Sequence, residues 1–185
     1  RIKLFLIFSL LANQLSAQEL EHSFEVTFKG KSIGNLFAQE KRTETAVIKD
    51  LRTNTEVDMI AVSVHVESEV KLLKKGEKLV QSTSYRHANR GTEEILAHIK
   101  KIGPKEYQVK RNGKEFKIED KEISYCTVDL YFIEPVQIDA VFSSMYAEFL
   151  KIEEVSPNRY KLSSPKSRDT FYTYSRLSSC NFENR

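Results

Sequence analysis

The chain has 185 residues and a formal net charge of +3, from 29 Lys and Arg against 26 Asp and Glu. Because the two signs are balanced and interspersed along the chain, the sequence lacks the basic footprint that a nucleic-acid binder needs, and nucleic acid is not an expected partner. The length suits one domain with a single hydrophobic core.

The N-terminus has the pattern of a secretory signal peptide. Arg1 and Lys3 give a positive start, and residues 4–12 form an uncharged apolar run. This run is well short of the roughly 20 residues that a membrane-spanning helix needs. The pattern predicts a signal peptide over residues 1–17.

Cleavage is expected near Ala17–Gln18, because Ala17 places a small residue before the scissile bond. Removal of Arg1 and Lys3 would lower the net charge to about +1. Residues 18–185 are then predicted to form a single β-rich domain without a transmembrane segment, exported to the periplasm or secreted.

Alternation of apolar and polar residues dominates the mature chain and predicts half-buried strands. Phe24, Val26 and Phe28 alternate with polar residues, and a turn at residues 30–32 follows. Further strands are predicted near residues 33–40 and 45–51.

The middle of the chain predicts three successive antiparallel strands. A turn at residues 74–77 would pair Leu72 with Leu79, and a turn at residues 89–91 would pair Tyr85 with Ile95. This register would place ten residues on one face of the sheet, nearly all of them apolar. They are Val62, Val64, Val66, Val70, Leu72, Leu79, Tyr85, Ile95, Ala97 and Ile99.

Asn112-Gly113 is the strongest hairpin signal, because both central positions of a type I′ turn need a positive φ. It pairs Val109 with Phe116 and Tyr107 with Ile118.

The C-terminal third predicts a short helix or irregular segment within residues 123–147, followed by strands near 148–155, 159–163 and 170–175. With about nine or ten strands, the protein is predicted to be all-β and mainly antiparallel. A meander that curves strongly and closes, or nearly closes, into a barrel would leave few edges. A two-sheet sandwich is the alternative.

Aromatic residues are concentrated in this segment: Tyr125, Tyr131, Phe132, Phe142 and Tyr146. They could form a lid over a cavity, but a plug that fills the end of the barrel is favoured. Basic clusters at residues 71–78 and 100–110 lie at or beside predicted turns and contain acids. They are interpreted as solvated loops, with contact to anionic lipid as the alternative.

The two cysteines leave alternatives open. Export permits a disulfide between Cys126 and Cys180, but Cys180 lies in a polar C-terminal tail that is expected to fray. Cys126 is otherwise a small buried residue.

No catalytic residue, cofactor-binding residue or metal ligand is predicted. The sequence has no GxSxG, HExxH or phosphate-binding glycine loop. The one pair with acid/base chemistry is His87 with Glu93, placed at the end of the apolar face. A structural role is favoured for this pair.

Several segments together resemble an exported Bacteroidota family known as domain of unknown function 6134. They are Phe24-x-Val26-x-Phe28, Gly30-Lys31-Ser32-Ile33-Gly34, the Gly76 turn with Leu79, Leu130-Tyr131-Phe132-x-Glu134-Pro135, Tyr160-x-Leu162 and Tyr172-x-Tyr174. The segment at residues 145–147 departs from the family, where a glycine would be expected. The resemblance implies a periplasmic or secreted β-domain and carries no catalytic residue.

Two functions are compatible with this sequence. The first is a non-catalytic envelope protein that binds an apolar small molecule such as a lipid, or an envelope protein partner. The alternative is an envelope hydrolase that acts on glycan or lipid, with His87 and Glu93 near its centre.

Overall fold

The computed structural model describes residues 18–59, 62–91, 93–164, 169–175 and 180–184. The predicted signal peptide at residues 1–17 lies outside the described residues. Thirteen strands and one short 3₁₀ helix make up the described chain. Within it, no helix is both long and apolar enough to cross a membrane.

The larger sheet is an eight-stranded antiparallel meander in which each strand pairs with the next in sequence. Its strands are β1 (Gln18–Phe28), β2 (Lys31–Arg42), β3 (Val47–Met59), β4 (Val62–Lys75), β5 (Lys78–Ala88), β6 (Ile95–Gly103), β7 (Glu106–Arg111) and β8 (Lys114–Ile118).

The 3₁₀ helix (Thr127–Tyr131) follows, and then a five-stranded antiparallel sheet, again with sequential pairing. Its strands are β9 (Ala140–Ser143), β10 (Glu148–Ser156), β11 (Arg159–Ser163), β12 (Thr170–Tyr174) and β13 (Cys180–Asn184). β13 begins at Cys180, in the tail that was expected to fray.

The all-β prediction and the short helix are confirmed, but the sheet does not close into a barrel. β1 and β8 are the two edges of the larger sheet, and the described residues show no pairing between them. The smaller sheet and the helix instead pack on the inner face of the larger sheet. An apolar sheet face can be covered by a second sheet as well as by closure, and this chain uses the second sheet.

Two groups of buried side chains hold the layers together. One joins β2 to the helix and the smaller sheet: Leu36, Ala38, Leu130, Tyr131, Val141, Leu150, Ile152, Tyr160, Leu162 and Tyr172. The other joins β4–β7 to the segment around the helix: Val70, Leu72, Leu79, Ile99, Tyr107, Val109, Ile123, Cys126, Val128, Phe142 and Ala147. The aromatic segment therefore fills the space between the sheets.

The predicted register of the β4–β5 hairpin is wrong. Leu72 lies opposite Ser82, not Leu79, and Leu79 lies opposite Lys74. The turn is tighter than predicted, and a bulge after Leu79 skips Val80. One extra residue at a bulge reverses the faces of the rest of a strand.

The predicted pairing of β5 with β6 is also wrong by one residue. Tyr85 lies opposite Leu96, not Ile95, while Ser84 lies opposite Ala97 and Arg86 opposite Ile95. Tyr85, predicted on the apolar inner face, therefore points to the outer face. Ile95 and Ala97 are buried as predicted.

The Asn112-Gly113 hairpin is confirmed in register. Val109 lies opposite Phe116 and Tyr107 opposite Ile118. Both turn residues have positive φ, 48° at Asn112 and 79° at Gly113. Turn chemistry fixed this register without help from the rest of the fold.

Candidate functional site

Two lysines are buried on the inner face of the larger sheet, Lys49 at 1% exposure and Lys74 at 3%. Alternation along the strands places them there, since Lys49 lies between Val47 and Leu51 on β3, and Lys74 continues the inner row of Leu72 on β4. Lysine is rarely buried this completely without an ionic partner. The prediction of a solvated loop over residues 71–78 is therefore wrong for Lys74.

Both lysines bind the carboxylate of Asp129, which lies in the 3₁₀ helix with no exposed surface. Lys49 Nζ lies 2.7 Å from Asp129 Oδ1, and Lys74 Nζ contacts Oδ2. The backbone N–H of Cys126 also donates to Oδ2, at 2.7 Å, which fixes the start of the helix. One carboxylate thus joins two neighbouring strands to the helix.

Glu40 on β2 supplies the second buried acid. It lies directly opposite Lys49 in the β2–β3 register, and its Oε2 is 2.9 Å from Lys49 Nζ. Burial by itself raises the pKa of Glu40, but hydrogen bonds from Lys49 and Arg42 outweigh it and lower the pKa below its usual value. We call Glu40, Lys49, Lys74 and Asp129 the buried ion cluster; its formal charges cancel.

Apolar and backbone groups complete the surroundings of the buried ion cluster. The Phe132 ring lies over Lys49, with Nζ 4.8 Å from the ring centroid. Lys74 Nζ also donates to the backbone carbonyl of Ser124, at 2.7 Å. The lysine charges therefore contact protein groups in a site with little access to water.

Cys126 lies beside the buried ion cluster as a free, buried thiol. Burial, reinforced by the charge of Asp129, raises its pKa to about 12. The structure therefore leaves Cys126 unpaired with Cys180, whose side chain lies outside the described residues.

Cys126 should resist thiol reagents in the folded protein. Because the thiolate is the reactive form and this thiol is both buried and of raised pKa, we expect its alkylation to be at least about tenfold slower in native than in denatured protein. Peptide mass spectrometry after timed treatment with iodoacetamide would measure Cys126 separately from Cys180. Equal rates in the two states would contradict the assignment.

The structure pairs His87 and Glu93 with other residues. His87 is exposed on the outer side of β5, where its Nδ1 lies 2.7 Å from Glu94 Oε1. Both carboxylate oxygens of Glu93 accept hydrogen bonds from Arg111 Nη2, at 3.0 Å. The two residues considered as an acid/base pair, for which a structural role was favoured, are thus engaged in separate surface contacts.

A row of side chains crosses the outer face of the larger sheet. Neighbouring strands place its five members directly opposite one another, in the order Phe37, Arg52, Glu69, Tyr85 and Leu96. We call this the outer-face row. Its three apolar members are well exposed, Phe37 at 54%, Tyr85 at 42% and Leu96 at 55%.

The centre of the outer-face row is charged and internally paired. Arg52 Nε donates to Glu69 Oε1 at 3.0 Å, and Arg52 also contacts Asp50. Lys71 Nζ lies 2.7 Å from the same Glu69 oxygen. The hydrogen bond from Lys71, with Arg52, lowers the pKa of Glu69 against a smaller effect of burial. Arg52 and Glu69 therefore lie between the apolar ends, with Asp50 and Lys71 beside them in the next cross-strand pair.

Three shallow cavities follow the row. The first, of about 400 Å³, is lined by Phe37 and Arg52 together with β1 residues. The second, of about 280 Å³, extends from Phe37 to Tyr85, and the third, of about 420 Å³, from Tyr85 to Leu96 and Asn112. Shared lining residues join them into one groove across six strands, β1 to β6.

Neither the buried ion cluster nor the outer-face row was predicted from the sequence, although the alternation of inner and outer residues gave a signal for some members of each. Lys49 has the parity of the inner residues Val47 and Leu51, and Phe37 has the opposite parity to the buried Leu36 and Ala38. A charged residue at an inner position and a large apolar residue at an outer one were the available signals.

Comparison with known proteins gives one assignment. No curated protein and no solved structure matches the chain. The family model described as Domain of unknown function (DUF6134) matches residues 24–185, from within β1 to the C-terminus. Export and a Bacteroidota source stay predictions. By this match over most of its length, the chain belongs to the DUF6134 family.

Proposed function

We propose that this protein is an exported, non-catalytic domain that binds a protein partner of the cell envelope through the outer-face row. The observation that carries the proposal is the exposure of Phe37, Tyr85 and Leu96 along one line of the sheet, with Arg52 and Glu69 between them.

Exposed apolar residues need no explanation when they are scattered. Here they are aligned, and the outer face of a one-sided antiparallel sheet is ordinarily polar. Aromatic residues and arginine are the types enriched at protein interfaces. With strands about 4.8 Å apart, the row from β2 to β6 spans roughly 19 Å, which suits a macromolecular partner.

A protein suits the groove better than a lipid or another apolar ligand. Sites for small apolar ligands bury most of the ligand surface and are lined mainly by apolar groups, whereas Arg52 and Glu69 lie at the centre of this open groove. Covering those charges with hydrocarbon would remove their water without new hydrogen bonds, at a considerable cost. A protein surface can supply polar groups at the centre and apolar groups at both ends.

Site-specific photocrosslinking in cells would test the proposal. With benzoylphenylalanine in place of Tyr85, we expect a discrete adduct of the size of a second protein. The control places the same probe at Val136, which is 61% exposed and lies outside the larger sheet, and should give no such adduct. A lipid-sized adduct, or equal adducts from both positions, would overturn the proposal.

Removing the apolar ends of the row should strongly reduce the adduct yield without unfolding the protein. Phe37→Ala combined with Leu96→Ala is expected to lower the Tyr85 adduct yield at least about tenfold, because contacts that anchor an interface each contribute about 2 kcal/mol or more. The melting temperature should change little, since both side chains are exposed. An unchanged adduct yield would contradict the role of the row.

A further inference from the structure

We propose that Lys49 and Asp129 become joined by an intramolecular isopeptide bond, formed within the buried ion cluster with Glu40 as the proton carrier. This modification site is independent of the outer-face row. It rests on the geometry and burial of four side chains from β2, β3, β4 and the 3₁₀ helix.

The reacting groups are in contact and shielded from water. Lys49 Nζ lies 2.7 Å from Asp129 Oδ1, and the two side chains are only 2% and 1% exposed. Holding two reactants in contact makes the reaction effectively unimolecular. Amide formation from an amine and a carboxylate releases water, so a dry site favours the amide over its hydrolysis.

Glu40 contacts the attacking nitrogen from the neighbouring strand, β2. Its Oε2 lies 2.9 Å from Lys49 Nζ, while Arg42 binds the other oxygen at 2.9 Å. The Glu40 carboxylate is thus close enough to the Lys49 ammonium to accept a proton from it directly. A positioned carboxylate of this kind is an effective general base and then a general acid.

Lys74 stabilises the opposite side of the reacting carboxyl group. Its Nζ contacts Asp129 Oδ2 and is held by the Ser124 carbonyl oxygen at 2.7 Å. A fixed positive charge there stabilises the oxyanion that develops when the carboxyl carbon is attacked. Lys74 is not the nucleophile, because its second contact is a carbonyl, which does not take up a proton as Glu40 does for Lys49.

The step balances without a further reactant. Glu40 takes a proton from the Lys49 ammonium, and the resulting amine attacks Cγ of Asp129. The Nζ–Cγ bond forms and one Cγ–O bond breaks. The two protons lost from Nζ leave with that oxygen as water, carried by Glu40, which returns to its ionised form. An ammonium and a carboxylate thereby become one neutral amide and one water molecule.

Peptide mapping tests the proposal directly. The full chain is expressed in cells, purified, reduced and denatured before digestion with trypsin. We expect a branched tryptic species that contains both Lys49 and Asp129, lighter by one water molecule than the two peptides together. The matched control is Lys161 with Glu153, which are 2.6 Å apart but partly exposed, and these should appear in separate, unmodified peptides. Complete recovery of unlinked peptides containing Lys49 and Asp129 would overturn the proposal.

Two variants separate the roles. Lys49→Met removes the nucleophile, yet leaves Asp129 paired with Lys74 and Glu40 paired with Arg42; the branched species should vanish. Glu40→Gln keeps Lys49 beside Asp129 and should abolish or greatly reduce the linkage. Full linkage in Glu40→Gln would remove Glu40 as the proton carrier, and a Lys74–Asp129 linkage would contradict the choice of Lys49.

Discussion

Replacing Asp129 with Leu is expected to lower the free energy of unfolding by about 3–5 kcal/mol, which is the range observed when one partner of a buried ion pair is removed. The variant leaves Lys74 without a carboxylate and Lys49 with Glu40 alone. It also removes the acceptor of the Cys126 N–H at the start of the helix. Equilibrium unfolding in urea, monitored by circular dichroism, would measure the loss.

Three controls assign that loss to the unpaired charge. Lys49→Met also prevents the isopeptide bond but leaves every acid with a cation, so it should be less destabilising than Asp129→Leu. Adding Lys74→Met to Asp129→Leu removes the orphaned cation and should restore part of the stability, since apolar replacement of a whole buried pair is often tolerated.

The third control is Glu153→Gln, because Glu153 also lies between two lysines, Lys151 and Lys161, each 2.6 Å away. Hydrogen bonds from those lysines lower its pKa to about 2. Water screens this partly exposed group, so the unfolding midpoint should move little. A large loss here and a small one at Asp129 would show that burial does not govern the effect.

Gly34→Ala is expected to lower the free energy of unfolding by about 2–4 kcal/mol, because of backbone strain together with overpacking. Gly34 has a φ of +149°, and a Cβ there would lie 2.0 Å from the carbonyl oxygen of Asn54 and 2.9 Å from Thr55 Cα. Those atoms belong to the backbone of β3, so a side chain cannot be accommodated by a rotamer change. β2 and β3 would have to separate at this point.

Gly30→Ala is the matched control for Gly34→Ala. Gly30 also has a positive φ, +75°, but a Cβ there would meet nothing within 4 Å. Gly30→Ala should therefore lower the free energy of unfolding only by the conformational penalty of about 1–2 kcal/mol. Urea unfolding would compare the two variants, and hydrogen exchange should show faster opening of β2 in Gly34→Ala alone. Equal losses of stability in the two variants would mean that the close approach of β2 to the Asn54 backbone is unimportant.

Local signals predicted the elements well where turn chemistry was explicit. The Asn112-Gly113 turn gave the correct pairing of Val109 with Phe116, and the segment before Pro135 contains the expected short helix at Thr127–Tyr131. Two strands were not predicted, β9 (Ala140–Ser143) and β13 (Cys180–Asn184). Both are short, and a run of four or five residues carries little periodic signal.

The predictions that failed depended on a single extra residue or on distant contacts. The skipped Val80 turned Tyr85 from the inner face to the outer face, and no local pattern marks such a bulge. Lys74 was assigned to a solvated loop because its neighbours are charged, yet its partner Asp129 lies 55 residues away in sequence. A single sequence does not display pairings across such a separation.

The sequence by itself determined that the domain is an antiparallel β protein built as a meander, because alternation with period two and the residues of tight turns are local properties. Only the tertiary structure decided that a second sheet covers the first, that Phe37, Tyr85 and Leu96 share an outer row, and that Lys49 reaches Asp129. Each of these depends on which faces meet, and that is set by packing between segments far apart in the chain.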